Sequence, residues 1–275
     1  MTHSKNSIYK NIFILITLCL SSILNANSNL NIIVSILPQQ TFVKAIGQDK
    51  VNISLMVKPG NSPHTYEPKP SQMRDISKAD IYFSIGVEFE KSWLPKFSNQ
   101  NHNMKIINLS KNINKIEGKD IHTWTSPSNV KIIAKTTYDT LVKFNSKNKT
   151  YYKQNYDKFI SHINKTDAKI KSILKDTPKG TKFMVFHPGW GHFAKDYNLV
   201  QLAIEIEGKS PKPKQIAKLI NIAREEKINA ILTAPEFSTK IATQIANELN
   251  IQVIKITPLN PKWSQNLINL AQTVK

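Results

Sequence analysis

The chain is almost without cysteine. Its 275 residues contain one, Cys19, and that one lies in a leader-like segment near the N-terminus. A chain with no further thiols has neither disulfides nor thiolate metal sites. It also suits an oxidising compartment, where a free thiol is a liability. Any metal site must then be built from His, Asp, Glu or water. Arginine is nearly as scarce, with Arg74 and Arg224 the only examples. The formal net charge of +19 is therefore almost all lysine, and those lysines are scattered. Bidentate recognition of bases and phosphates relies on arginine's planar fork. The charge accordingly reads as a solvated surface, and nucleic acid is not an expected partner. No Gly-x-x-x-x-Gly-Lys segment occurs, which excludes a phosphate loop of that type. No His-Glu-x-x-His helix occurs either, which removes the common scaffold of a zinc hydrolase.

Long apolar runs are missing, with one exception. IFILITLCLSSIL (12–24) follows Lys5 and Lys10 and precedes LNANS. A basic start, a short apolar core and a small-residue edge at Ala26 describe a secretory signal over 1–26. The run is too short for a comfortable membrane span. Cys19 follows Leu18, not a small residue, and apolar chain continues after it, so it reads as signal core. The expectation is export to the periplasm and a soluble mature chain.

Beyond the leader, short β-branched runs alternate with helical patterns. Residues 31–37, 51–57, 80–86 and 104–109 read as buried strands, with helices around 39–48 and 70–79. This βαβ alternation predicts a parallel sheet with helices on its faces. Residues 128–144 form an amphipathic pattern. Residues 149–176 then keep a 3.6-residue period through Tyr152, Tyr156, Phe159, Ile163, Ile170 and Leu174. Pro178 and Gly180 close that helix, which would be roughly 40 Å long. Strands resume at 182–186, 199–206, 228–234 and 251–256, with helices over 213–227, 238–250 and 264–274. The predicted fold is α/β: two lobes, each with a mainly parallel four-stranded sheet, joined by one long helix. The boundaries are a signal at 1–26, an N-terminal lobe at 27–127, a helical linker at 128–178 and a C-terminal lobe at 179–275.

The histidines fall where strands end. His64 follows the second strand, in GNSPHTYEPKPSQM (60–73). His122 lies in the connection leaving the fourth strand, and His187 directly follows the fifth. Glu236 follows the strand at 228–234. Ligands of parallel α/β sheets bind outside the carboxyl ends of the strands. These residues can therefore converge if the two lobes face each other. Three neutral imidazoles are a common zinc set, with a fourth position for carboxylate or water. Nitrogen donors favour zinc over magnesium, calcium or manganese. The flanking residues stiffen each loop: Pro63 and Pro68 around His64, Trp124 and Pro127 after His122, and Pro188, Gly189 and Trp190 after His187. His102 and His162 read as surface residues. His192 stands about one helical turn past His187, with a ligand role open.

Several motifs carry a family resemblance. GNSPHTYEPKPSQM, DIHTWTSPSNV and FHPGWGHFAKDYNL resemble the three histidine motifs of the metal-binding solute-binding proteins of ABC transporters, the zinc and manganese uptake group. EIEGKSPKPKQIAKLI, APEFSTKIATQIANELNI and ITPLNPKW follow in the family's order. The resemblance implies His64, His122 and His187 as ligands. Manganese members commonly carry Glu at the third position, so His187 points to zinc. Many members place an Asp where this chain has Thr257, which leaves the fourth position to water or to Glu236. The long His- and acid-rich loop of many zinc members is absent from residues 110–122.

The expected function is capture of Zn²⁺ as transported substrate and delivery to an ABC permease with a cytoplasmic ATPase. The protein would be a monomer and not an enzyme. Manganese or iron is the alternative cargo. A zinc hydrolase with Glu236 as general base is the rival from another class.

Overall fold

The computed structural model describes residues 29–116, 119–205 and 211–275. The expected signal at 1–26, with Cys19, lies outside them, as does the last residue of the strand expected over 199–206. All eight strands are present: β1 Leu30–Val34, β2 Val51–Leu55, β3 Ile81–Ser84, β4 Lys105–Asn108, β5 Lys182–Val185, β6 Val200–Ala203, β7 Ala230–Thr233 and β8 Gln252–Lys255. They form two four-stranded sheets, ordered β2-β1-β3-β4 and β6-β5-β7-β8. Every pairing is parallel. Each sheet therefore reverses its winding beside its first strand, which opens a crevice at the carboxyl ends.

The helices are α1 Leu37–Gly47, α2 Pro70–Ile76, α3 Glu88–Gln100, α4 Pro127–Phe144, α5 Lys149–Ile173, α6 Gly191–Asp196, α7 Pro213–Glu225, α8 Lys240–Leu249 and α9 Trp263–Val274. Helix α5 is the long connector, 25 residues or about 37 Å. Its buried face is Tyr152, Asn155, Phe159, Ile163, Thr166 and Ile170, one stripe at helical spacing. Helix α3 was not singled out from the sequence. It carries Pro95 within it, a residue that normally marks a break. Among the described residues no helix is long and apolar enough to cross a membrane.

The two lobes share a core. Along β5, Phe183 and Val185 join the large apolar cluster that includes the N-terminal lobe, α4 and α5. Met184 and Phe186 point the other way, into a smaller cluster with Ala223, Ala242 and Ile245. This is the two-residue period of a strand covered on both faces. Polar ties reinforce the junction. Trp124 Nε1 donates to Pro258 O at 2.8 Å, and Trp263 Nε1 donates to Trp124 O at 2.7 Å.

The strand ends of the N-terminal lobe are closed by buried polar side chains. Gln72 Nε2 donates to Leu55 O and Met56 O, while its Oε1 accepts from Tyr66 Oη and Lys69 N. One glutamine thus fastens both ends of the proline-rich loop that carries His64. Beside it, the Glu90 carboxylate accepts from the amides of Ile85 and Gly86 and from the Ser35 hydroxyl. It holds the turn that launches α3, where Gly86 takes φ 95°, a left-handed conformation that glycine adopts without strain.

Burial pushes the Glu90 carboxyl up to about 7, against the hydrogen bonds it accepts from Ser35, Ile85 and Gly86. The folded state therefore favours its protonated form. That contribution is present below the unfolded value near 4.5 and is lost as pH rises to about 7. The expected size is roughly 3 kcal/mol. Urea unfolding across pH 4–8 tests this: the stability of the wild type relative to Glu90→Gln should fall by that order over the window. A difference that stays flat with pH would contradict it.

Candidate metal centre

The crevice between the lobes gathers residues from the ends of seven strands. His64 comes from the loop after β2 and Glu88 from the first position of α3, after β3. Asp120 and His122 follow β4, His187 follows β5 and Glu205 follows β6. Glu236 follows β7 and Thr257 follows β8. The three histidines meet. Nε2 of His187 lies 3.3 Å from Nε2 of His64 and 3.3 Å from Nε2 of His122. One ring nitrogen from each of the three falls within 4.8 Å of the other two.

Each ring is held from behind by a carboxylate. His122 Nδ1 donates to Asp120 Oδ1 at 2.8 Å, and the same oxygen accepts from the His122 backbone amide at 2.9 Å. His187 Nδ1 donates to Glu205 Oε2 at 3.1 Å. His64 Nδ1 lies 3.2 Å from Glu88 Oε2. Among the described residues that oxygen has no aligned hydrogen-bond partner, so the third contact is close but off-axis. With their Nδ1 protons turned to carboxylates, His122 and His187 present Nε2 lone pairs to each other at 3.3 Å. Two lone pairs at that distance repel unless a cation sits between them. Carboxylates behind metal-binding imidazoles fix the tautomer and raise ligand basicity.

The rings differ in surroundings. The side chains of His122 and His187 are 11% and 9% exposed, and that of His64 is 29% exposed. The Glu88 carboxylate holds the His64 imidazole above the usual histidine range, with burial opposing it. Burial draws His187 below that range, against the pull of Glu205. Phe237 stacks on the His187 ring, with centroids 4.5 Å apart and planes at 18°, and shields one side of the centre. A cleft of about 950 Å³ opens from the centre to solvent, lined by His64, Glu88, Asp120, Glu205 and Glu236. An otherwise lysine-rich chain thus presents carboxylates along the approach to its histidines.

Glu236 lines the same cavity but is not one of the three residues whose ligand atoms cluster. Its carboxylate accepts from the Thr257 hydroxyl, 3.2 and 3.1 Å from its two oxygens, and burial raises its pKa. His192 is buried and turned away from the centre: its ring nitrogens face Asn129 and the Asp120 carbonyl. His102 and His162 are exposed. Sequence reasoning missed Glu88, Asp120 and Glu205. A usable signal existed, since each follows a strand as the histidines do, and Asp120 stands two residues before His122.

The arrangement is matched in known proteins. The sequence matches the family described as zinc-uptake complex component A, periplasmic, over residues 32–273. A solved structure described as the crystal structure of ZnuA superposes with a TM-score of 0.86 at 39% identity, covering 90% of this chain and 98% of that one. The high-affinity zinc uptake system protein ZnuA of Bacillus subtilis is 27% identical over 265 residues, 86% of this chain and 82% of that protein. The manganese ABC transporter substrate-binding lipoprotein PsaA of Streptococcus pneumoniae is 26% identical over 242 residues, 76% of this chain and 73% of that protein. The chain belongs to the ZnuA family of metal-binding, ABC-transporter solute-binding proteins.

Proposed function

We propose that the protein captures Zn²⁺ in the periplasm, with His64, His122 and His187 as ligands, and delivers it to an ABC permease driven by a separate cytoplasmic ATPase. The observation that carries this reading is the convergence of three Nε2 atoms, each on a ring backed by a carboxylate. A tetrahedral zinc ion with Zn–N bonds of about 2.0–2.1 Å separates its ligand atoms by roughly 3.3–3.4 Å. The spacing of 3.3 Å between His187 and each of its neighbours supports that fit. An all-imidazole set also favours zinc over manganese, which prefers oxygen donors. Manganese, or iron, is the alternative cargo, and the PsaA relative keeps it in view.

The three ligands are neutral, and the charge that offsets a divalent ion sits one bond further out, on Glu88, Asp120 and Glu205. Water fills the fourth position in this reading. Glu236 is the alternative fourth ligand, and its bond from Thr257 supports keeping it in reserve. The same bond counts against Glu236 as the base of a hydrolase, so we read the chain as a binding protein and not an enzyme. The core shared by the two lobes supports a small, local response to the ion, with the chain acting as a monomer.

Isothermal titration of the mature chain should give one zinc per molecule. His64→Ala, His122→Ala and His187→Ala should each weaken binding on the order of 100-fold or more, and manganese should bind far more weakly than zinc. Tight zinc binding that survives His64→Ala and His187→Ala together would refute the site. Glu205→Gln should cost about 10–100-fold while leaving the stoichiometry at one. An effect as large as that of His187→Ala would instead make Glu205 a direct ligand.

Proton competition gives a further check. Imidazole must be neutral to bind, and Glu88 raises the pKa of His64. As pH falls, His64 is protonated ahead of His187, so zinc affinity should begin to drop above the ordinary imidazole value of about 6.5. In Glu88→Gln that drop should start at lower pH. An affinity–pH curve with the same midpoint in both proteins would contradict the assignment.

A further inference from the structure

We infer that His192 is a positioning residue: from the C-terminal lobe, it sets the Asp120–His122 pair so that the His122 ring is aimed before any ion arrives. The inference rests on His122 being a ligand, and it explains how that ligand is placed. The ring of His192 is buried, 3% exposed, and both its nitrogens are engaged across the lobe boundary. Asn129 Nδ2 lies 3.0 Å from Nδ1. An amide nitrogen only donates, so Nδ1 accepts. Nε2 then carries the proton and donates to the Asp120 carbonyl at 3.2 Å. A carbonyl only accepts, so the two contacts fix a single neutral tautomer. A histidine with its Nε2 proton committed to a carbonyl has no lone pair left for a metal.

The rest of α6 grips the same segment. A Cβ at Gly191 would run into Asp120 Oδ2, so any larger residue there would push the Asp120 carboxylate aside. Asp196 accepts from Ser126 Oγ at 2.6 Å and from Ser128 Oγ at 2.9 Å. Six residues thus hold four residues of the 120–129 segment, Asp120, Ser126, Ser128 and Asn129, and α6 begins four residues after His187. From there the chain of contacts runs inward. His192 holds the Asp120 backbone, Asp120 Oδ1 holds both the amide and Nδ1 of His122, and His122 Nε2 faces His187. The element that follows one histidine ligand therefore orients another, from the opposite lobe. Among the described residues His64 has no comparable tie, and its carboxylate partner is the off-axis one.

The test combines nuclear magnetic resonance of the ring nitrogens with zinc titration. In the metal-free protein, the His122 Nδ1 proton should give a resolved, slowly exchanging resonance. His192→Ala should lose it while the corresponding His187 resonance persists. His192→Gln places an acceptor oxygen and a donor nitrogen about as far apart as the ring nitrogens, and should restore it. Zinc affinity should follow, falling at least about tenfold in His192→Ala and returning to within a few-fold of wild type in His192→Gln. The wild type alone supplies a readout that needs no variant to fold: His192 must keep its Nε2 proton on zinc loading. Loss of that proton would make His192 a ligand and overturn the proposal, as would an unchanged His122 resonance in His192→Ala. The metal-free resonances report on His192 even if the wild type fails to bind zinc, an outcome that would defeat the proposed cargo and not the positioning role.

Discussion

The centre depends on one repeated interaction, a carboxylate behind an imidazole. Alone, a histidine side chain can turn either nitrogen toward the crevice and can carry its proton on either. Asp120 and Glu205 remove that freedom for His122 and His187, and Glu88 approaches His64 in the same sense. The result is two Nε2 lone pairs facing each other, with His64 Nε2 3.3 Å from that of His187. The fold around them holds the pair in place, and a cation between them would relieve its repulsion. The same carboxylates would offset a divalent charge from behind the rings without entering its coordination sphere.

Holding those rings still requires a rigid frame, and the frame has two parts. The apolar part is the core that runs from the N-terminal sheet through α4 and α5 to one face of the C-terminal sheet. The polar part is the set of ties at the junction, where Trp124 and Trp263 bond across to backbone carbonyls and α6 grips the segment before α4. Lobes that share a core cannot swing apart without exposing it. An ion would therefore enter and leave through local movement, and of the three rings His64, beside the open cleft, is the most exposed.

Much of this was legible in the sequence. The eight strands and the long helix follow from residue pattern, because buried parallel strands and a seven-turn helix are strongly periodic. His64, His122 and His187 were legible because strand ends in such sheets face a common crevice, and the proline-rich and tryptophan-containing loops marked which histidines were fixed. The carboxylates behind them were less visible. Asp and Glu at strand ends are common, and only the fold shows that Glu205 reaches His187 or that Glu88 lies beside His64. His192 was ambiguous for a related reason: its position on a helix was readable, but its partners Asn129 and Asp120 lie 63 and 72 residues away in sequence. Helix α3 escaped because Pro95 interrupts the usual helical signature. Thr257 donates its hydroxyl to Glu236, 21 residues away, a pairing that only the fold brings about.

The central claim is a coordination geometry, so the most direct measurement is diffraction from zinc-loaded crystals with anomalous scattering at the zinc edge. The account predicts a single strong peak between the lobes, about 2.0–2.1 Å from Nε2 of His64, His122 and His187, with each Nδ1 still against its carboxylate. A peak elsewhere, or one bonded to fewer than three of these nitrogens, would contradict it.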